Sequence, residues 1–425
     1  MSTICSTVGA AIESSEASDL HKLPFSALTS ALSFALDLTE AQPMGHVLRS
    51  CIIGMRIGKR IQLTEKQLSD LYYSLLLKDV GCDIESSRPS EIGDGVGYTG
   101  VEQKVAAPHN QNIRNRCKRA AHISHDLGLP PAVAEAIYQV DERWDGSGNP
   151  SGLSGDQISL IARIIHIAQT LDIAAQRYGR STAIEIVSRR CGTWFDTNLV
   201  AASDFFQDRY KLCDEVHSTL LLQRVIDLEP EHRTLNGSVF VVDNICNAFA
   251  EVVDAKSPFT FAHSTEVARI SVSMADLMGQ DQDNIKLVQR AALLHDIGKL
   301  GIPHAILEKP SSLTPAEWSS IYQHPRYTKL ILDKIPGFEA IAKIASDHHE
   351  KLDGSGYPDG LVAAQIPLLS RILTVADIYE ALSSSRPYRE KVDPDEVLKM
   401  MRRDSPHALD HECIAALTEV VGNFS

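Results

Sequence analysis

Residues 142–153 read ERWDGSGNPSGL, and 208 positions later residues 350–361 read EKLDGSGYPDGL. Downstream, SLIARIIHIAQTLD (159–172) and PLLSRILTVADIYE (367–380) keep that offset. Upstream, YSLLLKDVGC (73–82) matches RAALLHDIGK (290–299), and GHVLRSCIIGMRIG pairs His46 with His263, both at an offset of 217. A repeat this long is a whole domain written twice, so one fold has to satisfy both halves. The change of offset puts a longer, turn-rich loop, SSRPSEIGDGVGYTG, into the first copy.

Apolar residues recur at helical spacing. In HSTEVARISVSMADLMG, Val267, Ile270, Met274 and Leu277 share a face, and in LLSRILTVADIYEAL so do Ile372, Val375, Tyr379 and Leu382. Strand-like alternation is scarce. The expectation is an all-α chain of two tandem helical-bundle domains, 21–208 and 237–425, joined by a helix and turn at 209–236. At 425 residues, each half can bury its own core.

A formal net charge of -14 argues against binding a nucleic-acid polymer, though not against a small anion in a local basic pocket. No run of about 18 apolar residues suggests a membrane span. MSTICSTVGAAIESSEASDLHK lacks the basic start of a secretory signal. The eight cysteines show no C-x-x-C spacing and read as reduced thiols of a cytoplasmic protein, not as a zinc site.

The second half carries polar residues that interrupt or edge its apolar helical patterns: His263, His295–Asp296, His324, His348–His349 and Asp377. A lone His in such a place is ordinarily a satisfied core residue. Five His and two Asp together point to a metal, because imidazole with carboxylate suits borderline divalent ions.

HDIGK at 295–299 and HHEKLDGSGYP at 348–358 carry the two signatures of a known family, and this half resembles the HD-GYP domain of the HD phosphohydrolases. His324–Pro325 after a helix with Glu317 and Trp318, VADIYEAL at 375–382 and RPYR at 386–389 extend the resemblance. It implies two divalent metal ions, iron or manganese. His263, His295 and Asp377 would hold one, His324, His348 and His349 the other, and Asp296 would bridge them. Some members add a third metal through a Glu where this chain has Phe259, so two are expected. Lys299, Gly356, Tyr357, Arg386 and Arg389 match substrate-contacting positions, with Asp296 and Lys299 as the catalytic pair. His304 and Thr328 depart from the family pattern outside the ligand set.

In the first copy His46 and Asp79 survive, but Lys78, Val140, Asp141 and Gln169 replace His295, His348, His349 and Asp377, Arg116 stands opposite His324, and Cys82 replaces Lys299. Lys78 would bring a positive charge to the place of a cation. This copy is expected to bind no metal pair and to act in packing, regulation or a homodimer contact. His122 and His125, like His407 and His411, match no ligand position and read as surface residues.

The resemblance implies a cytoplasmic, bacterial phosphodiesterase that opens a cyclic dinucleotide, to linear pGpG and/or GMP in the case of cyclic di-GMP, with a hydroxide bridging the ions. Cyclic di-GMP is the leading substrate and hybrid cyclic GMP-AMP the competitor. The alternative is a signalling module with little turnover that binds a cyclic dinucleotide, or a diguanylate cyclase through the GYP loop.

Overall fold

Helices of this chain start where a side chain can take over an orphan backbone N–H. In the computed structural model, Thr64 and Thr314 form reciprocal capping boxes with Gln67 and Glu317, and Asp281 accepts from the Asn284 N–H. The structure describes residues 25–37, 45–79, 118, 122–125, 127–207, 221–231, 239–254, 262–307, 309, 311–384, 391–404 and 407–422. Among them the regular elements are helices, with two isolated bridges, Cys191 to Phe195 and Asp353 to Val362, and no strand. No described helix is long and apolar enough to cross a membrane.

The chain divides into two compact units. The first, Pro24–Arg233, holds α1 (Phe25–Asp37), α2 (His46–Arg60), α3 (Glu65–Leu77), α4 (Pro131–Tyr138), α5 (Leu160–Tyr178), α6 (Arg180–Arg189), α7 (Thr197–Ala202) and α8 (Leu221–Ile226). α5 packs along α2 and α6, while α3 lies against α2 and α4. Residues 221–231, within the expected linker, pack into this unit. The Tyr72 hydroxyl donates to the Val225 carbonyl at 3.0 Å, and the Tyr73 hydroxyl to Glu229.

The second unit holds α9 (Val239–Asp254), α10 (His263–Leu277), α11 (Gln282–Leu294), a 3-10 turn (Ile297–Gly301), α12 (His304–Leu307), α13 (Pro315–Ile321), α14 (His324–Leu332), α15 (Glu339–Ser346), α16 (Leu368–Ser383), α17 (Pro394–Asp404) and α18 (His411–Gly422). α16 is its axle, packed against α10, α11, α15, α17 and α18. Val267, Ile270 and Met274 turn into the core as their spacing predicts, but Leu277 is 43% exposed. It lies in the last turn of α10, where the chain turns away at the left-handed Gly279. His122, His125, His407 and His411 are exposed.

Candidate metal centre

Helix ends converge in the second unit. His263 and His324 open α10 and α14, His295–Asp296 close α11, His348–His349 follow α15, and Asp377 projects from within α16. His349 is half-buried and the other six are buried. Nitrogen and oxygen atoms of His324, His348 and His349 lie within 4.8 Å of one another, as do those of His263, His295 and Asp296, and those of His295, His348 and Asp377.

Backbone carbonyls set the tautomers. Nδ1–H of His295 donates to the Ala292 carbonyl at 2.7 Å, that of His324 to Ile321 at 2.8 Å, and that of His348 to Ala345 at 2.6 Å. Each bond leaves the Nε2 lone pair facing inward. His263 is turned the same way by Glu380, whose carboxylate takes its Nδ1.

The two oxygens of Asp296 serve different neighbours. Oδ2 lies 3.6 Å from His263 Nε2 and 3.4 Å from His295 Nε2, while Oδ1 lies 3.5 Å from His324 Nε2 and 4.0 Å from His348 Nε2. Asp377 Oδ1 completes the first side, 3.4 Å from His263 Nε2 and 3.8 Å from His295 Nε2.

A metal fits this arrangement. Buried His295 Nε2 and Asp296 Oδ1 have no hydrogen-bond partner among the described residues. His324 Nε2 and His348 Nε2 face each other at 3.3 Å although both rings carry their proton on Nδ1. A cation would hold two opposed lone pairs together, and orphaned buried groups are costly without one.

Electrostatics divide the cluster. Burial lowers His324 to about 3 and His349 to about 4, and holds His348 well below the ordinary histidine value, so these rings stay neutral. Burial also works against charge on His263 and His295, but the Asp296 and Asp377 carboxylates outweigh it and raise both. Burial would raise Asp296; His295, Lys299 and His263 outweigh it and hold this carboxyl well below the usual range. The Lys299 ammonium rests on Asp296 Oδ2. Burial and the charges of Asp296 and Asp377 push the Tyr357 phenol up, keeping it a donor.

Gly298 lets the turn close. A Cβ there would stand 1.9 Å from the His324 carbonyl oxygen and 2.5 Å from Thr328 N. The departure at Thr328 ties the same junction: its hydroxyl accepts from Gly298 N–H at 3.0 Å and donates to the His295 carbonyl at 2.8 Å. Gly356 has a backbone duty, since a Cβ would meet Lys351 N at 2.4 Å, as one at Gly148 would meet Arg143 N at 2.2 Å. Glu350 holds the loop through the N–H groups of Asp359 and Leu361 at 2.7 and 2.8 Å, and Glu142 does so in the first unit. Tyr357 sets its ring 4.7 Å from that of His349. Arg386, Arg389 and Phe259 lie outside the described residues, as do Cys82 and Arg116.

Sequence reasoning missed Glu380, Glu350 and Thr328 as supports. The repeat contained the signal for the first two: Glu380 and Glu350 align with Asp172 and Glu142, acids retained where most of the metal-type residues are not.

In the first unit His46 Nδ1–H donates to Asp172 Oδ2 at 2.8 Å, which also takes Arg49 Nε through Oδ1 at 2.7 Å. Buried Lys78 points its ammonium at His46 Nε2, 3.2 Å away, and at Asp79. Burial first, and Lys78 second, lower the His46 pKa. An ammonium thus meets the lone pair and carboxylate that face the cluster in the other copy. The groupings of three metal-binding side chains among the described residues all lie in the second unit. Lys78→Ala is expected to cost about 3 kcal/mol in denaturant unfolding, as breaking buried pairs does, with bound metal unchanged. A loss below about 1 kcal/mol, the range of an exposed pair, would show that the ammonium is dispensable.

The HD domain pattern matches this chain twice, over residues 32–199 and 247–413. A 3′3′-cGAMP-specific phosphodiesterase of Vibrio cholerae serotype O1 is 38% identical over 439 residues, 94% of this chain and 95% of that protein. A crystal structure of a cyclic GMP-AMP specific phosphodiesterase from V. cholerae covers 94% of this chain and 98% of its own, at 36% identity and a TM-score of 0.70. A cyclic di-GMP phosphodiesterase of Thermotoga maritima is 36% identical over 184 residues, 43% of this chain and 49% of that protein.

Proposed function

Because this chain belongs to the HD domain family, we propose that it is a metal-dependent phosphodiesterase of cyclic dinucleotides, with hybrid cyclic GMP-AMP placed ahead of cyclic di-GMP. This reverses the order expected from sequence. The observation that carries it is the end-to-end similarity, through both repeats, to a protein named for the hybrid, whereas the quoted cyclic di-GMP relative shares only 43% of the chain.

His263, His295 and Asp377 would hold one divalent ion and His324, His348 and His349 a second, with Asp296 shared between them; iron or manganese would suit this donor set. Bound there, the ions supply an activated water and offset charge on the phosphoryl group. Asp296 offers one oxygen to each side. Lys299 swings from Asp296 to a phosphate oxygen, and the Tyr357 hydroxyl donates to another. Arg386 and Arg389 bind substrate. The product is a linear dinucleotide, and the compartment is the cytoplasm. A diguanylate cyclase at the GYP loop and a homodimer are further proposed partners.

The test is hydrolysis by one metal-loaded preparation of full-length protein, with both cyclic dinucleotides at equal concentration. A higher kcat/KM for the hybrid is expected. The opposite order restores cyclic di-GMP, and tight binding without product from either makes the chain a signalling module.

A further inference from the structure

Beside the metal cluster three aromatic rings run outward. Tyr357, in contact with His349, packs on Tyr322 at 4.5 Å, and Tyr322 stacks on Trp318 at 5.7 Å with the planes 29° apart. Trp318 is 45% and Tyr322 43% exposed. Stacked on each other, the two rings form a contiguous exposed aromatic patch, the kind of surface that binding sites use.

The pair is held still. Trp318 lies on α13, whose start is closed by the Thr314–Glu317 capping box and by Lys309, paired to Glu317 at 2.7 Å. Tyr322 caps the end of that helix, and two residues later His324 begins α14. The same short segment therefore fixes both the aromatic pair and a ring of the cluster.

A flat, fixed aromatic surface suits a purine base, which stacks through its π-face. The ladder meets His349, so a base on the outer pair lies two ring contacts from where a phosphodiester would react. We propose that Trp318 and Tyr322 form a stacking platform for one purine of the cyclic dinucleotide and hold it while the phosphodiester lies at the cluster. The platform rests on the phosphodiesterase reading, and it makes these two residues determinants of substrate position.

Trp318→Ala and Trp318→Phe are compared with wild type in the metal-loaded full-length protein, with cyclic GMP-AMP as the probe. For Trp318→Ala, KM is expected to rise about tenfold or more, as for loss of one stacked base, with kcat falling less than about threefold. Trp318→Phe restores most of the affinity, which a change that merely disturbed the fold would not allow. Adding the dinucleotide quenches tryptophan fluorescence in wild type and not in Trp318→Phe. A KM for Trp318→Ala within about twofold of wild type, a factor below the stacking range, overturns the platform, as does quenching that persists in Trp318→Phe. A dimer lost in Trp318→Ala with KM unchanged also overturns it and assigns the pair to a contact between copies. If wild type turns over no cyclic dinucleotide, the enzyme reading falls. The quench then decides the platform alone: its loss in Trp318→Phe keeps it, and its absence from wild type sinks it.

Discussion

Asp296→Asn is expected to lower cyclic dinucleotide hydrolysis by about a thousandfold or more, the scale of removing several kcal/mol of charge stabilisation at the reacting phosphate. The change is nearly isosteric, so the helices around it keep their packing. What disappears is charge at the single point that both sides of the cluster share: Oδ2 faces His263 and His295, and Oδ1 faces His324 and His348. An amide presents one oxygen and an NH2 group, and the NH2 cannot coordinate. One side then loses its oxygen ligand from position 296 and the other keeps only a neutral one, so metal analysis is expected to show less than full occupancy. The Lys299 ammonium also loses its carboxylate partner. Product formation near the wild-type rate would place the chemistry elsewhere in the chain.

Gly298→Ala is expected to destabilise the second unit by about 3 kcal/mol or more, at the severe end for overpacking, and to strip bound metal. The added methyl meets the His324 carbonyl oxygen at 1.9 Å and Thr328 N at 2.5 Å, both backbone atoms, as well as Thr328 Oγ1 at 2.8 Å. A side chain could rotate away, but backbone cannot. The chain must move α14 off the turn, and His324 opens α14. A Thr328→Gly partner change removes the hydroxyl contact and leaves the two backbone contacts. It is therefore expected not to rescue the variant. Denaturant unfolding and metal content of the single and double variants check this, and rescue by Thr328→Gly would mean the hydroxyl was the obstacle.

The side chains that meet around Asp296 were legible in the sequence because each is polar at the edge of, or inside, an apolar helical stretch, where a lone group would be costly. The helical class was legible from the same stretches, although Leu277 shows that a periodic stripe can outrun the core at a helix end. The supporting groups were harder to see. Glu380 follows Asp377 by less than a turn and looks like an ordinary helical acid until His263 is placed against it. The duty of Thr328 depends on the approach of α14 to the 297–301 turn, a contact between segments some 30 residues apart that no local pattern announces. Gly356 read as part of a substrate loop; the structure also gives it a backbone duty, which Gly148 shares in the other copy. Arg386 and Arg389 lie outside the described residues.

The ammonium of Lys78 beside His46 and Asp79 has a consequence for how the chain withstands scarcity. A cation borrowed from solution can be withdrawn by a chelator, whereas one encoded in the gene cannot. The first repeat carries its counter-charge covalently, so that copy stays internally neutralised whatever the supply of ions.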